Sequence, residues 1–198
     1  MSIAGIILAA GESRRMGSPK ALLRYRDQSF LDTLIGLFGE RCAPVIVVLG
    51  AHADQIRAGT LRPATFVLNA DYRLGQTTSM QCGLRAVLSH AGIDGVLFTL
   101  VDHPAVTGAT LDALLAAVPP GGSRPLVRVP RYGEKRGHPI WFARGLVAEF
   151  LALPETGAAR EIVRAHAAET EFVDVNDPGI LADIDDPAAY ASLTGALR

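Results

Sequence analysis

Residues Ile3 to Leu23 read IAGIILAAGESRRMGSPKALL. The opening IAGIIL is a continuous apolar run of strand length, as expected for a strand covered on both faces of a parallel sheet. It leads directly into Gly11 and Gly17, the adjacent pair Arg14 and Arg15, Pro19 and Lys20. A strand end followed by a glycine loop and clustered cations exposes backbone N–H groups beside positive charge, a combination that can hold a polyphosphate. The spacing fits neither GxxxxGK[ST] nor GxGxxG. An arginine-rich solvated turn has the same composition, so the loop by itself leaves both readings open.

The rest of the chain repeats the alternation that this stretch begins. PVIVVLG (Pro44 to Gly50), TFVLN (Thr65 to Asn69) and GVLFTLVD (Gly95 to Asp102) are further apolar runs of strand length. Between them SFLDTLIGLFGER (Ser29 to Arg41), TSMQCGLRAVLSH (Thr78 to His90) and TGATLDALLAAV (Thr107 to Val118) carry helical apolar spacing, with Ser29, Thr78 and Thr107 placed as N-caps. Such a βαβ series predicts a doubly wound, mostly parallel α/β sheet whose ligand lies beyond the C-terminal strand ends.

The second half is less regular. PPGGSRP (Pro119 to Pro125) breaks the pattern, and Pro125 to Phe142 reads as a small β-hairpin insertion whose loop centres on Gly133. Two helices, ARGLVAEFLAL and GAAREIVRAHAAE, then a strand TEFVDV and a closing helix from Asp186 complete the chain, with Asp186 as N-cap and Pro187 in the first turn. No linker or repeat interrupts residues 1–198, which read as one domain.

Composition narrows the function. A net charge of −1 leaves no global basic field for nucleic acid, so an anion site must be built locally. Lys20 is one of two lysines against seventeen arginines. Cys42 and Cys82 form no CxxC or paired framework, and no apolar run approaches the roughly 20 residues of a membrane span. With no signal-peptide pattern, these features point to a reducing cytoplasm and to no membrane partner. His52, His90 and His166 lack metal-ligand spacing and are assigned nothing.

The string Leu8-Ala9-Ala10-Gly11-x-Ser13-x-Arg15-Met16-Gly17-x-x-Lys20 resembles the signature of the MobA-like NTP transferases. It is accompanied by NADYRLGQTTSMQCGL (Asn69 to Leu84), LVDHP (Leu100 to Pro104), RGHP (Arg136 to Pro139) and DIDDP (Asp183 to Pro187). The RGHP and GQTTSMQCGL segments together are similar to the molybdenum cofactor cytidylyltransferase branch. Related guanylyltransferases usually read Leu-Ala-Gly-Gly where this chain has Leu8-Ala9-Ala10-Gly11, which favours cytidine.

The resemblance implies a Rossmann-like nucleotidyltransferase fold and a Mg²⁺-dependent reaction. In it a phosphate oxygen of a molybdopterin-like acceptor attacks the α-phosphorus of CTP, or of GTP, and releases pyrophosphate. It implies that the backbone of Leu8, Ala9, Ala10 and Gly11 meets the nucleotide and that Arg15 and Lys20 face its phosphates. Asn69, Gly75 and Ser79 are expected by the base and ribose, the Asn69 amide offering donor and acceptor to a pyrimidine edge. Asp102, delivered at the end of a strand, is expected as the Mg²⁺ ligand. Asp185 is the second metal-side acid with Asp183 as the alternative, since residues two apart face one side of an extended chain. Arg136, Gly137 and His138, with Lys135 nearby, are expected to meet a flat anionic acceptor.

Other classes remain open at this point. They are a guanylyltransferase or a sugar-phosphate or phospholactate nucleotidyltransferase, and a non-enzymatic module that hands nucleotide or cofactor to an apo-molybdoenzyme during maturation. The joint presence of Arg15, Lys20 and Asp102 favours the enzyme, because a pure binder has no need of both the cations and the metal acid.

Overall fold

A computed structural model describes residues 1–117 and 124–195; the helix end at Val118 and most of the PPGGSRP break lie outside the described residues. In chain order the elements are β1 (Ile3–Ala9), β2 (Arg24–Tyr25), β3 (Gln28–Ser29), α1 (Phe30–Gly39), β4 (Val45–Leu49), α2 (Ala53–Gly59), β5 (Thr65–Leu68), α3 (Gln76–Leu88), β6 (Gly95–Leu100), α4 (Gly108–Leu115), β7 (Val127–Tyr132), β8 (Lys135–Arg136), β9 (Ile140–Ala143), α5 (Val147–Ala152), α6 (Ala159–Ala165), β10 (Thr170–Asp174) and α7 (Pro187–Gly195). No described helix is long and apolar enough to cross a membrane.

Strand β1 is buried along its whole length, which is why it shows no alternation in sequence. Its side chains divide between two cores. Ile3, Ile7 and Ala9 join the layer that contains α1 and α4, while Ala4, Ile6 and Leu8 join the layer of α3, α5 and α6. Gly5 lets α1 approach, since a Cβ there would stand 2.8 Å from the Phe38 ring. Each of the fully buried isoleucines Ile6 and Ile7 contributes about 1.5–3 kcal/mol of transfer free energy.

The main sheet runs β10-β7-β9-β6-β1-β4-β5, with β8 paired to β7. Pairings β1–β4, β4–β5, β1–β6 and β7–β10 are parallel, and β9 runs antiparallel between β6 and β7. The expected α/β architecture is thus present, and the hairpin of the second half is built into the sheet itself. The order reverses at β1, whose partners are β4 on one side and β6 on the other. This is the switch point at which open α/β sheets hold their ligand.

Three local features differ from the sequence reading. Helix α3 begins at Gln76, so Thr78 is not its N-cap. The Thr78 hydroxyl donates back to the Gly75 carbonyl at 2.9 Å, and Gly75, at φ +131°, takes the cap position. Helix α2 had no periodic signal because only Ile56 in it is buried. The small β2–β3 pair turns at Arg26, which sits at φ +54°. Ser29 caps α1 as its sequence indicates, accepting from the Asp32 N–H at 3.0 Å. Asp186 caps α7, accepting from Ala189 N–H at 2.9 Å.

Candidate active site

Past Leu8 and Leu100 the neighbouring strands β1 and β6 separate. The last bond between them runs from Val101 N–H to the Leu8 carbonyl, and the Ala10 carbonyl then turns to Ala51 N–H. A cavity of about 480 Å³ opens there, with the backbone from Leu8 to Gly11, Arg15, Lys20, Ser79, Asp102 and Asp185 on its wall. A Cβ on Gly11 would meet no protein atom within 4 Å, so the glycine keeps this wall open toward a ligand.

The loop that follows is shaped by Ser13 at φ +52° and Gly17 at φ +68°. Ser13 Oγ accepts from Lys20 N–H at 3.0 Å, pinning the backbone of the lysine across seven residues. Lys20 is thereby aimed back into the crevice. Its Nζ lies 2.5 Å from Asp185 Oδ1 and 3.3 Å from Asp102 Oδ2, with most of the side chain buried. Arg15 reaches the same acid, Asp185 Oδ2, at 3.1 Å from a largely exposed position. Arg14 is exposed and pairs with Glu12.

Asp102, Asp183 and Asp185 each bring a carboxylate oxygen within 4.8 Å of the others. The segment carrying the last two is stitched in place by Ile184 N–H, which donates to the Asp102 carbonyl at 3.1 Å. Ile184 itself is buried, so its neighbours on either side turn together toward Asp102. Burial pushes the Asp102 carboxyl above its usual range against the pull of Lys20. Burial, then the adjacent Asp102 and Asp185 carboxylates, raises Asp183, whereas the hydrogen bond from Lys20 lowers Asp185. Asp102 Oδ1 is buried with no hydrogen-bond partner among the described residues. An orphaned carboxylate oxygen among three hard oxygen donors fits a divalent cation of the Mg²⁺ or Mn²⁺ kind.

Asn69 is placed differently from expectation. It is buried, and its amide turns into the protein: Nδ2 donates to Thr78 Oγ1 at 3.0 Å and Ser79 Oγ at 2.9 Å. Its Oδ1 accepts from Asp71 N–H at 3.0 Å. Both amide protons are therefore used to hold the first turn of α3, leaving none for a nucleobase. Gly75 and Ser79, which that turn carries, do face the cavity. So does Tyr72, which no pattern in the sequence singled out.

A second cavity of about 680 Å³ adjoins the first through Gly75 and Gln76, and Arg136, Gly137 and His138 line it. Gly137 is required by packing, because a Cβ there would lie 2.1 Å from the Ile180 carbonyl oxygen. His138, expected from the sequence to meet a flat anionic acceptor, lies beside His103 on this cavity's wall. Burial, and then the neighbouring His103 ring at 5.0 Å, lowers its pKa to about 4, so at neutral pH it offers a neutral ring and no cation. Lys135 is exposed and does not line either cavity. Arg160 and Arg164 of α6 also line the second cavity, and their sequence context carried no signal beyond helical spacing.

The chain is similar to known proteins along most of its length. Residues 5–170 match the model of the MobA-like NTP transferase domain. The chain is 29% identical over 192 residues to a probable molybdenum cofactor guanylyltransferase of Mycobacterium ulcerans, covering 95% of this chain and 91% of that one. It is 26% identical to the molybdenum cofactor cytidylyltransferase of Escherichia coli K12, covering 92% and 90%. Among solved structures, Rv0371c from Mycobacterium tuberculosis H37Rv superposes with a TM-score of 0.80 at 31% identity, covering 97% and 96%. Its manganese complex matches with a TM-score of 0.75 at 28% identity, covering 99% and 100%.

Proposed function

The chain belongs to the MobA-like NTP transferase domain family, and on that premise we propose that it moves CMP from CTP to molybdopterin or a similar phosphorylated acceptor. The observation that carries the reading is Lys20, buried between Asp102 and Asp185 beside an open glycine wall at the sheet's switch point. A cation and three acids in one crevice suit a reaction in which the protein neutralises and positions phosphates.

In this reading the Leu8–Gly11 backbone receives the nucleotide, and Arg15 and Lys20 face the triphosphate. Lys20, a compact point charge, suits the α-phosphate once Asp102 and Asp185 release it. Asp102 would hold Mg²⁺ with Asp185 or Asp183, and the ion supplies charge neutralisation for the triphosphate and the departing pyrophosphate. An acceptor phosphate oxygen forms the new bond to the α-phosphorus as the bond to the β-phosphate's bridging oxygen breaks. Asn69 acts by fixing Gly75 and Ser79 on the wall. Gly137 lets the RGHP segment pack against the Ile180 carbonyl, and Arg136 faces the acceptor.

Ala10, in place of the glycine usual in the guanylyl branch, favours CTP. GMP transfer from GTP is the second reading, because the Mycobacterium ulcerans relative, named as a guanylyltransferase, is slightly more similar than the cytidylyl one. Pyrophosphate release with CTP, GTP, ATP and UTP, with molybdopterin and Mg²⁺ present, separates them. A kcat/KM that is highest for CTP supports the proposal; a preference for GTP overturns the nucleotide assignment, and no turnover with any of the four overturns the enzyme.

A further inference from the structure

Among the described residues the first cavity carries one aromatic side chain, Tyr72, and phosphate chemistry has no use for it. Its place is set by Gly50, which follows β4. A Cβ there would stand 2.7 Å from the Ala10 carbonyl oxygen and 2.7 Å from both Cβ and Cγ of Tyr72, so the stem of the ring and the Ala10 backbone come together over this glycine. Tyr72 therefore stands on the β4 side of β1, while Asp102 follows β6 on the other side. At about 4.8 Å per strand, β4 and β6 are roughly 10 Å apart. A nucleotide laid across β1 with its phosphates at Lys20 and Asp102 brings its other end to the tyrosine.

The ring is held from behind. Arg73 Cζ lies 5.5 Å from the ring centroid, and Arg73 does not line the cavity, so the guanidinium backs the side of the ring turned away from it. Glu12 Oε1 accepts from Arg73 Nε at 3.3 Å and keeps the cation there. The turn beneath the ring is fixed as well. Asn69 Oδ1 accepts from Asp71 N–H at 3.0 Å, Leu74 N–H donates to the Asp71 carbonyl at 2.9 Å, and the Thr78 hydroxyl reaches the same carbonyl at 3.0 Å. Asn69, which has no amide proton left for a ligand, thus presents an aromatic ring instead. A ring already fixed in place loses little freedom when a flat ligand stacks on it.

We propose that Tyr72 is the platform on which the nucleobase of the donor stacks, so that this one residue makes the cavity select a nucleoside triphosphate over a bare polyphosphate. This rests on the nucleotide reading given above and deepens it without depending on which base is used, because every base has a π-face. Arg15, Lys20 and the three acids with their metal recognise phosphate, and an inorganic polyphosphate offers them the same charge. Discrimination against it comes from the opposite end of the cavity.

The experiment is a calorimetric titration of the whole chain with CTP, GTP and inorganic tripolyphosphate in Mg²⁺ buffer, without acceptor. The wild type is expected to bind its preferred nucleotide at least about tenfold tighter than tripolyphosphate. Tyr72→Ala is expected to weaken nucleotide binding by about tenfold or more and to leave tripolyphosphate binding unchanged, whereas Tyr72→Phe keeps the wild-type affinities. Tyr72 is half-buried, and unchanged melting temperatures verify that each variant is folded. Unchanged nucleotide binding in Tyr72→Ala, an equal weakening of all three ligands, a phenylalanine variant as weak as the alanine one, or a wild type that binds tripolyphosphate as tightly as a nucleotide overturns the proposal. The titration needs no turnover, so a failure of CMP transfer to molybdopterin overturns the function proposed above and leaves the stacking result standing.

Discussion

Lys20 Nζ and Asp185 Oδ1 stand 2.5 Å apart across 165 positions of sequence, and the same ammonium reaches Asp102. The lysine therefore occupies the acidic crevice in which a divalent cation fits. Lys20→Ala should lower turnover by about 10³-fold or more, as loss of a preorganised charge does. It should at the same time tighten Mn²⁺ binding in the absence of nucleotide, because the acids lose a competing cation. Calorimetric titration reads this directly, and a weaker Mn²⁺ affinity in the variant would show that Lys20 does not compete.

Asp102 separates function from stability. An acid whose folded pKa is raised by burial costs stability as pH rises above its unfolded value, since the folded state then holds the proton more tightly. Asp102→Asn removes that cost while leaving Lys20 its partner Asp185. The expected outcome is turnover reduced by about 10³-fold or more, with a melting temperature at pH 7 that is unchanged or higher. Added Mn²⁺ should raise the melting temperature of the wild type and much less that of the variant. A variant that mainly unfolds would make Asp102 a structural residue.

Gly137→Ala drives a methyl group into the Ile180 carbonyl, an atom of the backbone that cannot rotate away. The segment displaced is the one that accepts His138 N–H at Ile180 and carries Asp183 and Asp185. We expect a loss of about 3 kcal/mol or more, roughly 6–12 °C in Tm, together with loss of turnover. Equal melting curves for variant and wild type would contradict the packing described.

His138 gives a pH dependence of definite sign. Its folded pKa, at about 4, lies below the ordinary histidine value, so the unfolded chain binds the proton first. Its stabilisation is complete above about pH 6.5 and is lost as pH falls toward 4, by up to about 3 kcal/mol. Thermal melts at pH 7 and pH 5 should show the wild type losing stability over this interval and His138→Gln losing distinctly less. Parallel losses in the two proteins would place the pH effect elsewhere.

The series of apolar runs was legible because parallel strands covered on both faces cannot alternate, and β1, β4 and β6 show it plainly. Helix α2 was not, because one buried residue in seven leaves no period to detect. The β2–β3 pair is two residues to a strand, below the length at which any pattern emerges. At the site, Arg15, Lys20, Asp102 and the Asp183–Asp185 pair could be named from their motif, and the fold brings them to one crevice. Asn69 and His138 were named for polar atoms that the fold then spends or neutralises. Whether an amide faces a ligand or a neighbouring helix depends on contacts that sequence spacing does not record.

Sequence by itself determined the α/β class, the strand that opens into Gly11, and the cations that follow, since these depend on local periodicity and on residue type. The tertiary structure alone decided what those cations do. Lys20 is aimed by Ser13 into acids more than eighty residues away, and Arg136, Arg160 and Arg164 are gathered from β8 and α6 onto one wall. Burial and long-range charge set a group's chemistry, and both come into being only when the strands take their order in the sheet.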